Sequence, residues 1–204
     1  KGEYKHVFGN DPKTSVYGTN PRFTDLLKIN PFSFPKDVHV LEHVDRLIEI
    51  FNVCWPMYAA MPAVLKEAIL EAYWVSGWDL EDSRWVEKIK NKHKIGPFYP
   101  NFYDVKIALE RVIQRSAFSQ EVKSNYIGSL VTRVNSLTNG LNGQIFTDHE
   151  LDNHSLFNRN CIIDLSRVGS AETKSLIMGV LLIKLSEYRM SEGGMNRPLQ
   201  HVTV

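Results

Sequence analysis

Val40, Leu41, Val44, Leu47, Ile48, Phe51 and Trp55 fall at i, i+1, i+4, i+7, i+8, i+11 and i+15. A helix of about 3.6 residues per turn gathers those positions on one face. Pro56 cannot continue it, because proline lacks the amide proton and its ring clashes with the preceding turn. Pro62 suits the first position of a second helix, striped by Leu65, Ala68, Ile69, Ala72 and Val75 and ending near Gly77. Asn101, with Asp104 three positions on, caps a third, whose stripe is Val105, Ala108, Leu109, Val112 and Ile113. Ser119 caps a fourth, with Val122, Tyr126, Leu130, Val134 and Leu137 inward and Asn139-Gly140 as its stop. These stripes assign residues 36–140 to a helical lobe.

The flanks follow other periods. Residues 1–35 read as short extended pieces broken by turns, with strands at Ser15–Gly18 and Leu27–Asn30. Asn10-Asp11-Pro12, Asn20-Pro21 and Asn30-Pro31 are turn signals, since Asn and Asp satisfy nearby backbone groups and Pro fixes φ. Residues 141–160 read as polar and irregular. Cys161-Ile162-Ile163-Asp164-Leu165 then forms a short apolar run, a strand whose consecutive isoleucines would cover both faces of a sheet interior. Ser170 caps a long helix through about Arg189, Gly193-Gly194 closes that region, and His201–Val204 supplies another strand. Strand, helix, strand is a unit that favours parallel neighbours and a right-handed crossover. The expected fold class is α/β and rich in helix. Residues 1–35 and 141–204 share a sheet, and the helical lobe is inserted between them.

A chain of 204 residues, 43% apolar and 23% charged, can bury a sizeable core. That composition excludes a disordered, collagen-like or disulfide-stapled chain. No run of 18 apolar residues exists, so no membrane-spanning helix is expected. Cys54 and Cys161 make no CxxC, which removes a cysteine-based zinc or thioredoxin-like motif and favours reduced thiols. No secretory signal precedes Lys1-Gly2-Glu3-Tyr4, so a cytoplasmic location is expected. The missing initiator Met and a final β-branched run that reads as a strand cut short point to an excised segment of a longer protein.

Three groups of residues suggest chemistry. Gly169-Ser170-Ala171-Glu172-Thr173-Lys174-Ser175 imitates the end of a phosphate loop. However, Thr173 replaces the glycine before the Lys, and Val168 stands where the first glycine belongs. The turn therefore reads as a strand-to-helix connection with Ser170 as cap. Lys88, Lys90, Lys92 and Lys94 alternate before Phe98, Tyr99, Phe102 and Tyr103, a pattern that can hold a nucleic-acid backbone and stack bases, though a solvated charge run is the commoner case. His39 and His43 stand four apart, a metal-compatible spacing, but no HExxH exists, and surface or capping roles are favoured. Tyr73, Trp74, Trp78 and Trp85 read as core anchors. Charge is uneven: residues 37–87 hold 10 acids and 3 bases, a balance of −7, while residues 88–143 hold 9 bases and 3 acids, a balance of +6.

Several strings together resemble the HerA/FtsK-type P-loop ATPases, specifically the HerA-like bacterial ATPases with a helical insertion. They are Lys1-Gly2-Glu3-Tyr4-Lys5, Tyr17-Gly18-Thr19-Asn20-Pro21, Ile29-Asn30-Pro31-Phe32, Leu41–Phe51, Trp55–Pro62 and Ile163–Arg167 followed by Glu172-Thr173-Lys174. The resemblance covers nearly the whole chain. It implies a P-loop NTPase parallel sheet and a hexameric ring of identical subunits that uses ATP and Mg²⁺ to move or unwind DNA. It also implies a Walker A loop before Lys1 and Walker B acids after Val204, so this chain alone should be inactive. Lys1, Glu3, Ser166, Arg167, Glu172 and Lys174 are then the residues nearest the nucleotide or a neighbouring subunit, with Arg167 best placed to meet phosphate charge. The bland reading pairs Arg167 with Glu172 or another local acid. Two alternatives stand beside the motor. One is a helical protein–protein interaction module, whose acidic and basic halves suit docking on a neighbour. The other is a stand-alone nucleotide binder using the Gly169–Ser175 turn.

Overall fold

The computed structural model describes residues 3–86 and 97–191 of the chain. It opens with helix α1, Glu3–Phe8, where extended chain was expected. Six residues make a marginal helix alone. A tertiary bond fixes this one: Lys5 Nζ lies 2.6 Å from Asp164 Oδ2. Strands β1, Thr14–Gly18, and β2, Asp25–Leu26, follow.

The helices expected from the stripes are present. Helix α2, Val40–Cys54, is capped by His39, whose Nδ1 accepts from the Leu41 amide at 3.2 Å. Val40, Val44, Leu47, Ile48 and Phe51 are buried, whereas Leu41, placed on the same stripe by spacing, is exposed. Helix α3, Met61–Val75, carries Pro62 in its first turn, where the absent amide costs nothing. It stops at Gly77, whose φ of +97° a side chain would strain. A short hairpin of β3, Trp78–Asp79, and β4, Arg84–Trp85, follows. Helix α4, Phe102–Arg115, begins with the expected Asn101/Asp104 pair as a reciprocal capping box. The fourth helix runs as α5, Gln120–Tyr126, a π-helical stretch, Ile127–Val131, and α6, Thr132–Thr138. Tyr126, Leu130, Val134 and Leu137 are buried as expected. Asn139 ends α6, but the chain re-enters a helix at once: α7 spans Gly140–Ile145 and α8 spans Asn153–Phe157, so residues 141–160 are not wholly irregular. Strand β5, Asn160–Asp164, and helix α9, Ala171–Ser191, complete the described chain.

The three-stranded sheet has order β2-β1-β5, and both pairings are parallel. β1 and β5 meet in register from Thr14↔Asn160 to Gly18↔Asp164, although the main helical region separates them in sequence. The α/β class with parallel neighbours is therefore observed. Two strand expectations are corrected. β5 borders only β1 among the described residues, so it is an edge there, and Cys161, Ile162 and Ile163 are half-buried rather than covered on both faces. Consecutive isoleucines fit a half-covered edge as well as a sheet interior, and pairing partners are a tertiary property. Leu27–Asn30 forms no strand and contributes a single parallel bridge, Ile29↔Phe146. The strand expected at His201–Val204 lies outside the described residues.

One apolar core joins these elements. Tyr73 and Trp78 are buried in it and Trp85 packs against it, but Trp74 is 58% exposed and anchors no core. A buried polar network crosses the core around Asn30–Phe34. Lys184 Nζ donates to Ser33 Oγ at 2.6 Å and pairs with the Glu150 carboxylate at 2.9 Å. The Asn30 amide donates to the same carboxylate at 2.9 Å. His43, read as a surface or capping residue, is instead fully buried. Its Nε2 faces the Pro31 carbonyl at 3.0 Å and its Nδ1 faces the Glu187 carboxylate at 2.9 Å. The ring therefore bridges the Asn30–Phe34 segment and α9. Arg46 Nη1 completes the set at 2.9 Å from Glu187. Burial pushes the Glu187 carboxyl up, but the bonds and charges of His43 and Arg46 hold it below its ordinary value of 4.5.

Cys54 is buried, Cys161 is half-buried, and both are free thiols. No described helix is long and apolar enough to cross a membrane.

Candidate functional site

Because β1 and β5 are parallel, their carboxyl ends open on one edge of the sheet. Ligands of α/β sheets bind at that edge, where strands end and helices begin. Two turns leave it here. After β1, Asn20 folds the chain back: its Oδ1 accepts from the Arg22 amide at 3.0 Å, and its carbonyl accepts from the Phe23 amide at 3.1 Å. After β5, the Ser166 amide donates to Asp164 Oδ1 at 2.9 Å and the Val168 amide to the Leu165 carbonyl at 3.2 Å. Ser170 then starts α9, its Oγ accepting from the Thr173 amide at 3.2 Å. This is the cap expected from sequence.

The two turns and α7 surround a cavity of about 220 Å³. Its polar wall is Thr19, Asn142, Arg167, Ser170 and Thr173, and Leu141, Ile145 and Val168 form its apolar side. Asp164 ends β5 and lies off the cavity wall. Burial pushes that carboxyl up, yet the bonds from Lys5 and Ser166 bring it down to about 2. Its charge is thus committed to Lys5. Among the described residues, Arg167 is the one charged side chain on the cavity wall.

Arg167 makes no ion pair with Glu172 or any other described residue. Its guanidinium carbon instead lies 3.4 Å from the centroid of the Phe23 ring. Stacking uses the flat face of the group and leaves its N–H edges available. Ser166 is exposed beside it. Glu172 and Lys174 lie in the first turn of α9 but off the cavity wall, so the edge does not gather all the residues expected there. Glu3 opens α1, which the Lys5–Asp164 pair holds against the end of β5. Lys1 and the Lys88, Lys90, Lys92 and Lys94 run lie outside the described residues.

Gly169 has no positive φ, so the turn is not a phosphate-loop nest. No group of three or more His, Cys, Asp or Glu among the described residues is placed to hold a metal. The cavity is also smaller than the roughly 300–1,000 Å³ usual for a whole small-molecule site. The described residues therefore do not fit Mg-ATP as a unit.

Sequence reasoning missed Thr19, Phe23 and Asn142. Thr19 had a signal: it directly follows Ser15–Gly18, which reads as a strand. Phe23 and Asn142 reach the site only through tertiary folding. The charge split of the lobe is partly met inside the chain. Arg115 pairs with Glu67 and Glu71 at 2.6 Å, joining basic α4 to acidic α3.

No family model matches this chain, and neither a curated protein nor a solved structure matches it.

Proposed function

We propose that this chain is part of a HerA/FtsK-type ATPase, a ring of identical subunits that uses ATP and Mg²⁺ to move or unwind DNA. In this reading the chain supplies the inserted helical lobe and one carboxyl edge of the P-loop sheet, while other segments supply the phosphate loop and the metal-holding acids. One structural observation carries the reading beyond the sequence strings: a parallel β1–β5 pair whose carboxyl edge presents Arg167 with no carboxylate partner among the described residues. An unpaired guanidinium at such an edge is suited to phosphate charge, its own subunit's or a neighbour's. The pairing of α4 with α3 inside the chain weakens the docking-module alternative, which drew on that same charge.

Calorimetric titration with Mg-ATP tests the division of labour. This chain alone is expected to show no micromolar isotherm and no hydrolysis, whereas the complete gene product hydrolyses ATP and is stimulated by DNA. A micromolar isotherm abolished by Lys174→Ala would make the Gly169–Ser175 turn a working nucleotide site. A complete gene product without ATPase activity would remove the motor reading.

A further inference from the structure

From the junction of α6 and α7 we infer a modification site: Asn139 cyclises spontaneously onto the Gly140 amide, loses ammonia and becomes isoaspartate and aspartate. The site is independent of the motor reading.

The chain holds two Asn-Gly dipeptides close together, Asn139-Gly140 and Asn142-Gly143. In such a pair the main-chain nitrogen of the glycine attacks Cγ of the asparagine. A bond from that nitrogen to Cγ forms and the Cγ–Nδ2 bond breaks. The side-chain nitrogen leaves as ammonia, taking the proton that the attacking amide gives up. Water then opens the five-membered imide at either carbonyl. One opening gives aspartate; the other reroutes the main chain through the side chain and gives isoaspartate. Glycine favours the attack, because it has no Cβ in the way and its backbone turns freely. By sequence the two dipeptides are equivalent, and the fold separates them.

Asn139 is exposed and stands between the two helices with φ −114° and ψ 157°. It occupies the cap position of α7, yet its side chain caps nothing there. Asn101, by contrast, is held by the Tyr103 and Asp104 amides. Asn139 Nδ2 makes one exposed bond, to the Asn135 carbonyl at 2.9 Å. Gly140 opens α7, so its amide has no acceptor inside the helix, and it finds none among the other described residues. Its φ is +58°, and a Cβ there would meet nothing within 4 Å. The attacking nitrogen is thus unbonded and the space around it open. Cyclisation has to turn the extended ψ of Asn139 further, and a junction between helices of 7 and 6 residues yields to such local motion. Asn142 is the opposite case. It is half-buried within α7, and its Nδ2 donates to the Ser136 carbonyl at 3.1 Å. The Gly143 amide is bonded to the Asn139 carbonyl at 3.1 Å, and a Cβ on Gly143 would collide with the Thr138 carbonyl. Isoaspartate at 139 adds a methylene to the main chain and puts a carboxylate where that accepting carbonyl stood. Leu141, Asn142 and Ile145 of α7 line the Arg167 cavity, so the change acts on one of its walls.

The test is peptide mapping by mass spectrometry of the full chain aged in mildly alkaline buffer, folded and, in parallel, unfolded in guanidinium chloride. In the unfolded chain the two dipeptides should react at similar rates. In the folded chain Asn139 should convert at least tenfold faster than Asn142. A methyltransferase that esterifies L-isoaspartate, supplied with labelled S-adenosylmethionine, should label the aged folded chain. Asn139→Gln should remove most of that label, and Asn142→Gln should leave it unchanged. Gly140→Ala should slow the conversion at least tenfold. That variant is strained at a positive φ, and Asn139→Gln, which keeps both the amide and the glycine, covers the case in which it fails to fold. Equal rates at the two sites in the folded chain, conversion mainly at Asn142, a folded Asn139 that stays intact while the unfolded chain converts, or a label that survives Asn139→Gln would overturn the site. ATP turnover enters none of these readouts, so failure of the site and failure of the motor reading are separable.

Discussion

Glu187→Ala should lower the free energy of unfolding by about 3–5 kcal/mol, the range found when one partner of a buried ion pair is removed. Glu187 is fully buried and accepts from both His43 and Arg46. Truncation leaves the fully buried His43 ring with a donor and no acceptor, and it strips Arg46 of its interior partner. For a chain of this length, each 1 kcal/mol moves the melting temperature by about 2–4 °C. A drop of roughly 6–20 °C is therefore expected in thermal denaturation. Glu42 also pairs with Arg46, but at an exposed position. Glu42→Ala should change stability by no more than about 0.5 kcal/mol. Comparable losses from the two variants would mean that the buried network contributes nothing special.

The same carboxylate predicts a pH dependence with a definite sign. Its folded-state pKa lies below the ordinary 4.5. Its contribution is then complete above about pH 4.5 and is lost as pH falls through the depressed folded value. The parent should lose stability in that acid window, and Glu187→Ala should lose less there. A parent and variant with parallel stability curves through the window would contradict the linkage.

Lys184→Met should cost a similar 3–5 kcal/mol, although methionine fills much of the same volume. Lys184 is 3% exposed and holds together Ser33 Oγ, the Asn30 carbonyl and the Glu150 carboxylate. Without the ammonium group, Glu150 keeps its bonds to the Asn30 amide and Ser33 but loses its counter-charge. Glu150→Gln should therefore rescue part of the loss. A double-mutant cycle by urea denaturation should give a coupling of about 0.5–3 kcal/mol. A coupling of zero would show that the two residues act separately.

What the sequence revealed and what it hid divides along local and tertiary lines. The stripes of α2, α3 and α4 and the caps at Asn101, Ser119 and Ser170 rest on spacings within one turn, and they were legible. The short helices α1, α7 and α8 were not, because a single turn or two depends on contacts such as Lys5–Asp164 that sequence does not display. The buried ions were partly legible. Lys184 and Glu187 continue the inward spacing of Ile177, Val180 and Ile183 along α9, and His43 sits among Val40, Val44 and Leu47 on α2. Their charge argued for the surface, while their phase argued for the core. At the sheet edge, the Ser166–Lys174 segment was visible, since it follows a strand and opens a helix. Phe23 and Asn142 were not, because the turn after β1 and helix α7 come near the end of β5 only through tertiary folding.

Arg167 ties the structure to the proposed motor, and its replacement tests that connection most directly. The measurement is steady-state ATP turnover by the complete gene product, with and without Arg167→Ala, alongside the melting temperature of each. An arginine that meets phosphate charge should give a turnover at least tenfold lower, roughly 1.4 kcal/mol of barrier. The melting temperature should stay nearly unchanged, since the guanidinium only stacks on an exposed Phe23. Unchanged turnover, or a loss of turnover matched by unfolding, would reduce Arg167 to a structural residue and contradict the proposal.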